Sequence, residues 1–150
     1  MMARPDGRLE RIWLKRAHRG PMDATAHALL VANQGIRGNA NYAGRRQVTI
    51  IGLERWQELT AELGADVDPS ARRANLLVSG IDLQESRGRL LLVGCCGLRI
   101  GGETRPCERM DEASPGLQAV MRDRWGGGAW AVVEIDGEVA LGDPVRWADG

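Results

Sequence analysis

The chain has 150 residues, 43% of them hydrophobic and 27% charged, with a formal net charge of zero. That is long enough for one domain, residues 1–150, to bury a core without staples, and the composition is that of a soluble globule. No apolar run is long enough to cross a bilayer, the start Met1–Gly7 lacks a signal-peptide core, and Cys95, Cys96 and Cys107 are too few for a disulfide framework. The expected compartment is therefore a reducing cytoplasm, with no membrane partner.

The zero net charge hides an asymmetry. Residues 1–50 carry nine Arg or Lys against three Asp or Glu, whereas residues 101–150 carry five against ten. Lys15 is the one lysine, so the basic charge is almost wholly arginine, whose planar fork suits phosphate and carboxylate. This composition permits an anion pocket; a genome rich in G and C would produce it too.

In chain order, residues 1–8 are expected to form a flexible tail, followed by a strand over Leu9–Lys15. Met22–Ala32 reads as a short helix that stops at Gly35. Gly35–Gly44 is a loop of glycine and asparagine, and Arg45–Ile51 is β-branched and strand-like. Leu53, Trp56, Leu59 and Leu63 recur every three to four residues, which predicts an amphipathic helix closed by Gly64.

The second half is mainly strands: Asn75–Val78, Arg89–Val93, Gly97–Arg105, Ala129–Ile135 and Val139–Leu141. Cys95-Cys96-Gly97 fits a small-residue bend, and Asp136-Gly137 is a two-residue hairpin signal. One helix is expected between them, with Ser114 as N-cap, Pro115 at the first position and Gly126–Gly128 at the end. These elements give a strand-dominated mixed β/α class: a closed or nearly closed β-barrel with a few peripheral helices.

Cys107 is the residue most suggestive of chemistry. It follows Pro106 at a strand end and is flanked by Arg105 and Arg109, an arrangement that favours thiolate, the form that attacks electrophiles and ligates soft metals. The competing reading is a small buried cysteine in a structural barrel. Arg72, Arg73 and Asn75 stand at a strand entrance, where Arg73 could grip a phosphate bidentately and Asn75 donate a second bond; a solvated strand end is the alternative. The Gly35–Gly44 loop could offer backbone amides to an anion, with Arg45 and Arg46 at its far edge. A zinc site is disfavoured because only His18 and His27 could complete the cysteines. No serine sits in a nucleophile elbow, and the five tryptophans do not interleave with a basic patch, which argues against nucleic acid.

Taken in order, Pro21-Met22, Gly35-Ile36-Arg37-Gly38-Asn39, Arg45–Ile51, Arg72–Leu83 and Arg105-Pro106-Cys107 resemble the MOSC domain, found at the C-terminus of molybdenum-cofactor sulfurases. Gly142–Val145 is similar to that family's barrel end. The resemblance runs from about Met22 onward. It implies a barrel that binds molybdenum cofactor (molybdopterin), with Cys107 as catalytic residue, either molybdenum ligand or sulfur acceptor. By similarity Arg73, Asn75, Arg105, Gly38, Asn39 and Arg46 hold the pterin or its phosphate. Catalytic relatives reduce N-hydroxylated substrates, which makes an oxidoreductase drawing on an electron-donor protein one expectation. A non-catalytic sulfur carrier, passing persulfide from a sulfur donor to a partner enzyme, is the other. The family is also associated with pyridoxal phosphate, which sulfurases hold in a separate domain with no counterpart here. The family loop usually reads Gly-Asp; Asn39 lacks that carboxylate. Larger catalytic relatives also carry an N-terminal barrel and C-terminal helices, of which no counterpart is expected here.

Overall fold

A computed structural model describes residues 7–149. The first strand, β1 (Gly7–Lys15), shows how this sequence makes two cores. Its pairing register shifts between Leu9 and Arg11, a bulge that changes which side chains face inward. Leu9, Ile12 and Leu14 therefore all enter the barrel interior, while Trp13 faces outward under the helices. Of the expected tail, residues 1–6 lie outside the described residues, and Gly7 and Arg8 belong to β1.

The remaining elements are β2 (Met22–Thr25), β3 (His27–Val31), β4 (Gly35–Ile36), β5 (Val48–Gly52), α1 (Leu53–Leu63), a 3-10 turn (Pro69–Arg72), β6 (Leu76–Ser79), β7 (Leu90–Val93), β8 (Cys96–Glu103), α2 (Arg109–Ala113), α3 (Leu117–Met121), β9 (Ala129–Ile135), β10 (Gly137–Ala140) and β11 (Pro144–Trp147). Seven strands in the order β11-β7-β8-β9-β5-β6-β1 close on themselves through β1–β11 pairing, with β2 added to the far half of β1. Closure leaves the ring without an open edge. The strand-dominated barrel expected from the sequence is thus the observed fold. A small second sheet, β10-β3-β4, sits beside it.

Among the described residues only β5 and β6 pair in parallel, and α1 with the 3-10 turn supplies the crossover such a pair requires. On β5, Val48 and Ile50 point into the barrel and Ile51 outward; on β6, Leu76 and Val78 point in and Leu77 out. The outward residues meet Trp56 and Leu59 of α1 and Met110, Leu117 and Met121 of α2 and α3. Gly64 ends α1 at φ +72°, a conformation natural to glycine. No helix among the described residues is long and apolar enough to cross a membrane.

Three local expectations are corrected. Met22–Ala32 is not a helix but β2 and β3, because Met22–Thr25 pairs along Lys15–Ile12 and Leu30 pairs with both Ile36 and Gly137. Ala28, Leu29 and Leu30 alternate buried, exposed, buried, a two-residue period that tertiary pairing favours over the helical preference of alanine. The single helix from Ser114 is two short ones: Ser114 closes α2 in an extended conformation, and Gly116 at φ +89° starts α3. Asp136-Gly137 does not make a hairpin, since β9 pairs with β5 and β8 whereas β10 pairs with β3. The two-residue hairpin is instead at Gly94-Cys95, between paired Val93 and Cys96, with Gly94 at φ +57°.

Candidate functional site at the Cys107 end of the barrel

The end of β1, the start of β6 and the exit of β8 converge at one mouth of the barrel. Asn75, just before β6, ties the end of β1 to β5 and the Gly35–Gly44 loop. Its Oδ1 accepts from the Thr49 N–H at 3.0 Å and Thr49 Oγ1 at 3.2 Å, while Nδ2 donates to the Trp13 carbonyl and to Asn39 Oδ1, both at 3.1 Å. Every hydrogen-bonding position of that side chain is spent on β1, β5 and the Gly35–Gly44 loop. Asn75, expected to donate to a phosphate, is a positioning residue. Asn39 Oδ1 also accepts from the Lys15 N–H at 2.9 Å, which leaves its enclosed Nδ2 without a partner.

Among the described residues three further enclosed polar atoms lack partners: Arg55 Nε on α1, and Arg72 Nη2 and Thr104 Oγ1 beside Gly127. The Arg72 guanidinium donates through Nε to the Gly127 carbonyl at 2.9 Å, but its Nη2 is buried with nothing to bond. Thr104 Oγ1 is likewise buried and unbonded, on the segment whose carbonyl lies 2.0 Å from where a Gly127 Cβ would be. Only glycine lets these strands of chain pass so closely. Unpartnered buried donors are rare and costly, and an acceptor placed here would satisfy them.

Cys107 is exposed, at the start of a turn closed by the Met110 N–H to the Cys107 carbonyl at 3.0 Å. Met110 is buried in the outer core, and that anchor turns the thiol toward solvent. Burial lowers the Arg72 pKa, and the nearby Cys107 charge opposes that shift. Arg73 adopts φ +63° and donates to the Gly20 carbonyl; burial, then Arg109, lowers its pKa. Lys15 is lowered by burial first and then by Arg73 and Arg109. Lys15, Arg73 and Arg109 thus lie near one another and Arg72 lies near Cys107, and none of the four forms an ion pair among the described residues. A bound anion would relieve that repulsion.

The other expected site residues are placed less centrally. Arg105 is exposed on the Cys107 connection. Gly38, at φ +89°, lies beside Arg16 and Leu14. Arg46 is exposed and held over the Trp130 ring, 5.6 Å from its centroid. The sequence carries no signal that singles out Lys15 or Thr104 for binding, places Arg109 only as a neighbour of Cys107, and does not show which guanidinium of Arg72-Arg73 is enclosed. Gly126-Gly127-Gly128 was the available signal, since a glycine run permits the close approach that Arg72 exploits.

Fold and site together describe a closed β-barrel with an exposed thiol at one mouth. The MOSC domain model matches residues 16–146, and the chain belongs to that family. Crystal structures of similar fold include the YUAD protein from Bacillus subtilis, with a TM-score of 0.82 at 21% identity over 97% of each chain. YiiM from Geobacillus stearothermophilus has a TM-score of 0.73 at 14% identity, over 95% of this chain and 75% of its own. YiiM from Escherichia coli has 0.70 at 15%, over 94% of this chain and 69% of its own. No curated protein matches the chain in sequence.

Proposed function

We propose that this mouth binds molybdenum cofactor, with Lys15, Arg72, Arg73 and Arg109 holding the pterin phosphate and Cys107 meeting the metal or accepting sulfur. The observation that carries the reading is the pair of enclosed, unbonded donors, Arg72 Nη2 and Thr104 Oγ1, beside an exposed thiol in an unneutralised cationic cluster. Among the described residues no three His, Cys, Asp or Glu side chains are grouped to hold a metal. The donor set therefore suits a metal that arrives on a carrier with its other ligands, rather than a bare ion.

The cofactor, when bound, would supply the two-electron chemistry for an oxo transfer or for reduction of an N-hydroxylated substrate, drawing on an electron-donor protein. The chain's residues supply the rest. The four cations bind and orient the anionic end. Asn75 fixes Asn39 and the β1 end, so the Asn39 amide presents a donor where a carboxylate would present an acceptor. Gly38, Arg46 and Arg105 would line the rim. Cys107 would offer a soft sulfur ligand. Its exposure also favours the second reading, a carrier in which Cys107 takes persulfide sulfur from a donor and passes it on. Either role belongs in a reducing cytoplasm.

The test is elemental analysis of protein made in a cofactor-competent host. We expect near-stoichiometric molybdenum in the parent and at least a tenfold loss in Cys107→Ser and Arg72→Gln, with far-UV circular dichroism unchanged. A parent without molybdenum that gains one sulfur at Cys107 from a cysteine desulfurase supports the carrier. Neither metal nor sulfur would leave the structural barrel.

A further inference from the structure

The opposite end of β8 carries a second sulfur cluster that the proposed function does not use. Cys96 begins β8 and Cys95 stands in the turn before it, whereas Cys107 follows the strand's far end; eight strand residues separate the two ends by roughly 25 Å. Both sulfurs converge on Gly137. A Cβ built there would lie 2.7 Å from Cys95 Sγ and 3.3 Å from Cys96 Sγ, so the sulfurs are no more than about 6 Å apart. A larger residue at 137 would cover them; glycine leaves the space open.

The surroundings are the electrical reverse of the Cys107 end. Asp136 and Asp143 act on Cys96, which burial, its largest cause, together with Cys95 and those carboxylates, pushes up to about 12. Asp143 Oδ2 also lies 2.6 Å from a Cβ position on Gly94, the residue before the pair. Cys95 Sγ faces the Glu138 carbonyl at 3.5 Å, and the Glu138 carboxylate meets His27 Nδ1 at 3.7 Å. Burial and these carboxylates disfavour a free Cys96 thiolate, so that sulfur gives up its proton only to a strongly thiophilic cation. Two sulfurs without a third ligand group are too few for tetrahedral zinc.

We propose that Cys95 and Cys96 form a site for a monovalent thiophilic cation, Cu(I), held two-coordinate between the adjacent sulfurs. Cys95 is exposed and receives the ion; Cys96 is fully buried, within reach of a bare ion and not of a bulky organic electrophile. Each Cu–S bond forms as an S–H bond breaks and its proton leaves to solvent, with no electron transferred. Binding therefore strengthens as pH rises.

The test is anaerobic competition for Cu(I) against bicinchoninate, using Cys107→Ser to silence the other thiol site. We expect one Cu(I) per chain in the parent and in Cys107→Ser. Adding Cys95→Ser should weaken binding at least a hundredfold, with affinity in Cys107→Ser rising between pH 6 and 8. Should the double variant fail to fold, alkylating Cys95 in native Cys107→Ser must produce the same loss. Unchanged affinity without a free Cys95, loss of binding on Cys107→Ser alone, or a parent that does not compete with the chelator would each overturn the site.

Discussion

Replacing Asn75 by alanine tests whether one buried amide holds the mouth of the barrel together. The substitution removes the acceptor of the Thr49 N–H and the donor to the Trp13 carbonyl. Each main-chain group left unsatisfied in the interior costs about 1–3 kcal/mol, so for the two of them we expect a loss of about 2–6 kcal/mol from a domain total of about 5–15. Urea unfolding followed by tryptophan fluorescence reads this directly, because Trp13 and Trp56 are buried in the outer core. Asn75→Asp sharpens the test. Its second oxygen would face the Trp13 carbonyl and Asn39 Oδ1, both acceptors, so the carboxyl's folded pKa must lie above its unfolded value near 4. Its favourable contribution is then full below about pH 4 and lost as pH rises through the folded value. A cost under about 1 kcal/mol for the alanine variant, or an aspartate variant no more stable in acid relative to the parent, would refute the reasoning.

Two further outcomes follow from the geometry. Asp68 pairs with Arg11 at 2.7 Å and accepts the Ser70 N–H, and these bonds, the Arg11 one first, depress its pKa to about 2. Its stabilisation is present above about pH 4 and lost as pH falls through about 2; because both partners are largely exposed, Asp68→Asn should cost only about 0.5–1 kcal/mol at neutral pH and less than half of that at pH 2, measured by urea unfolding at both. Gly127→Ala would drive a Cβ to 2.0 Å from the Thr104 carbonyl, and thermal unfolding should show a loss of about 1–3 kcal/mol.

How far the sequence could be read depends on where each element finds its partner. α1 was legible to the residue because its apolar spacing and Gly64 are local signals, and β9 because its β-branched run is bounded by glycine and Asp136. β2 and β3 were not: alanines and a lone Asp23 favour a helix, and only the exposed far half of β1 draws Met22–Thr25 into a strand. The hairpin at Asp136-Gly137 failed similarly, since β3 claims β10 and no local pattern reveals it. At the site, Cys107 was legible from its arginine neighbours and Asn75 from its place at a strand entrance. What Asn75 does there was not, because its four bonds reach residues 26 to 62 positions away. Arg72 was likewise hidden, its partner being a carbonyl 55 positions on.

The seam that closes the ring has a consequence for how the chain folds. Gly7 pairs with Val145 and Arg8 with Pro144, joining segments almost the whole sequence apart. Loop-closure entropy for such a contact must be met before the contact returns any stability, so topologies of this kind fold in milliseconds to seconds rather than microseconds. Until residues near Val145 are available, the flank of β1 that they cover and the free side of β7 present unpaired backbone. During that interval the open ring is most exposed to pairing with another chain. Sealing the seam is the step that ends the hazard.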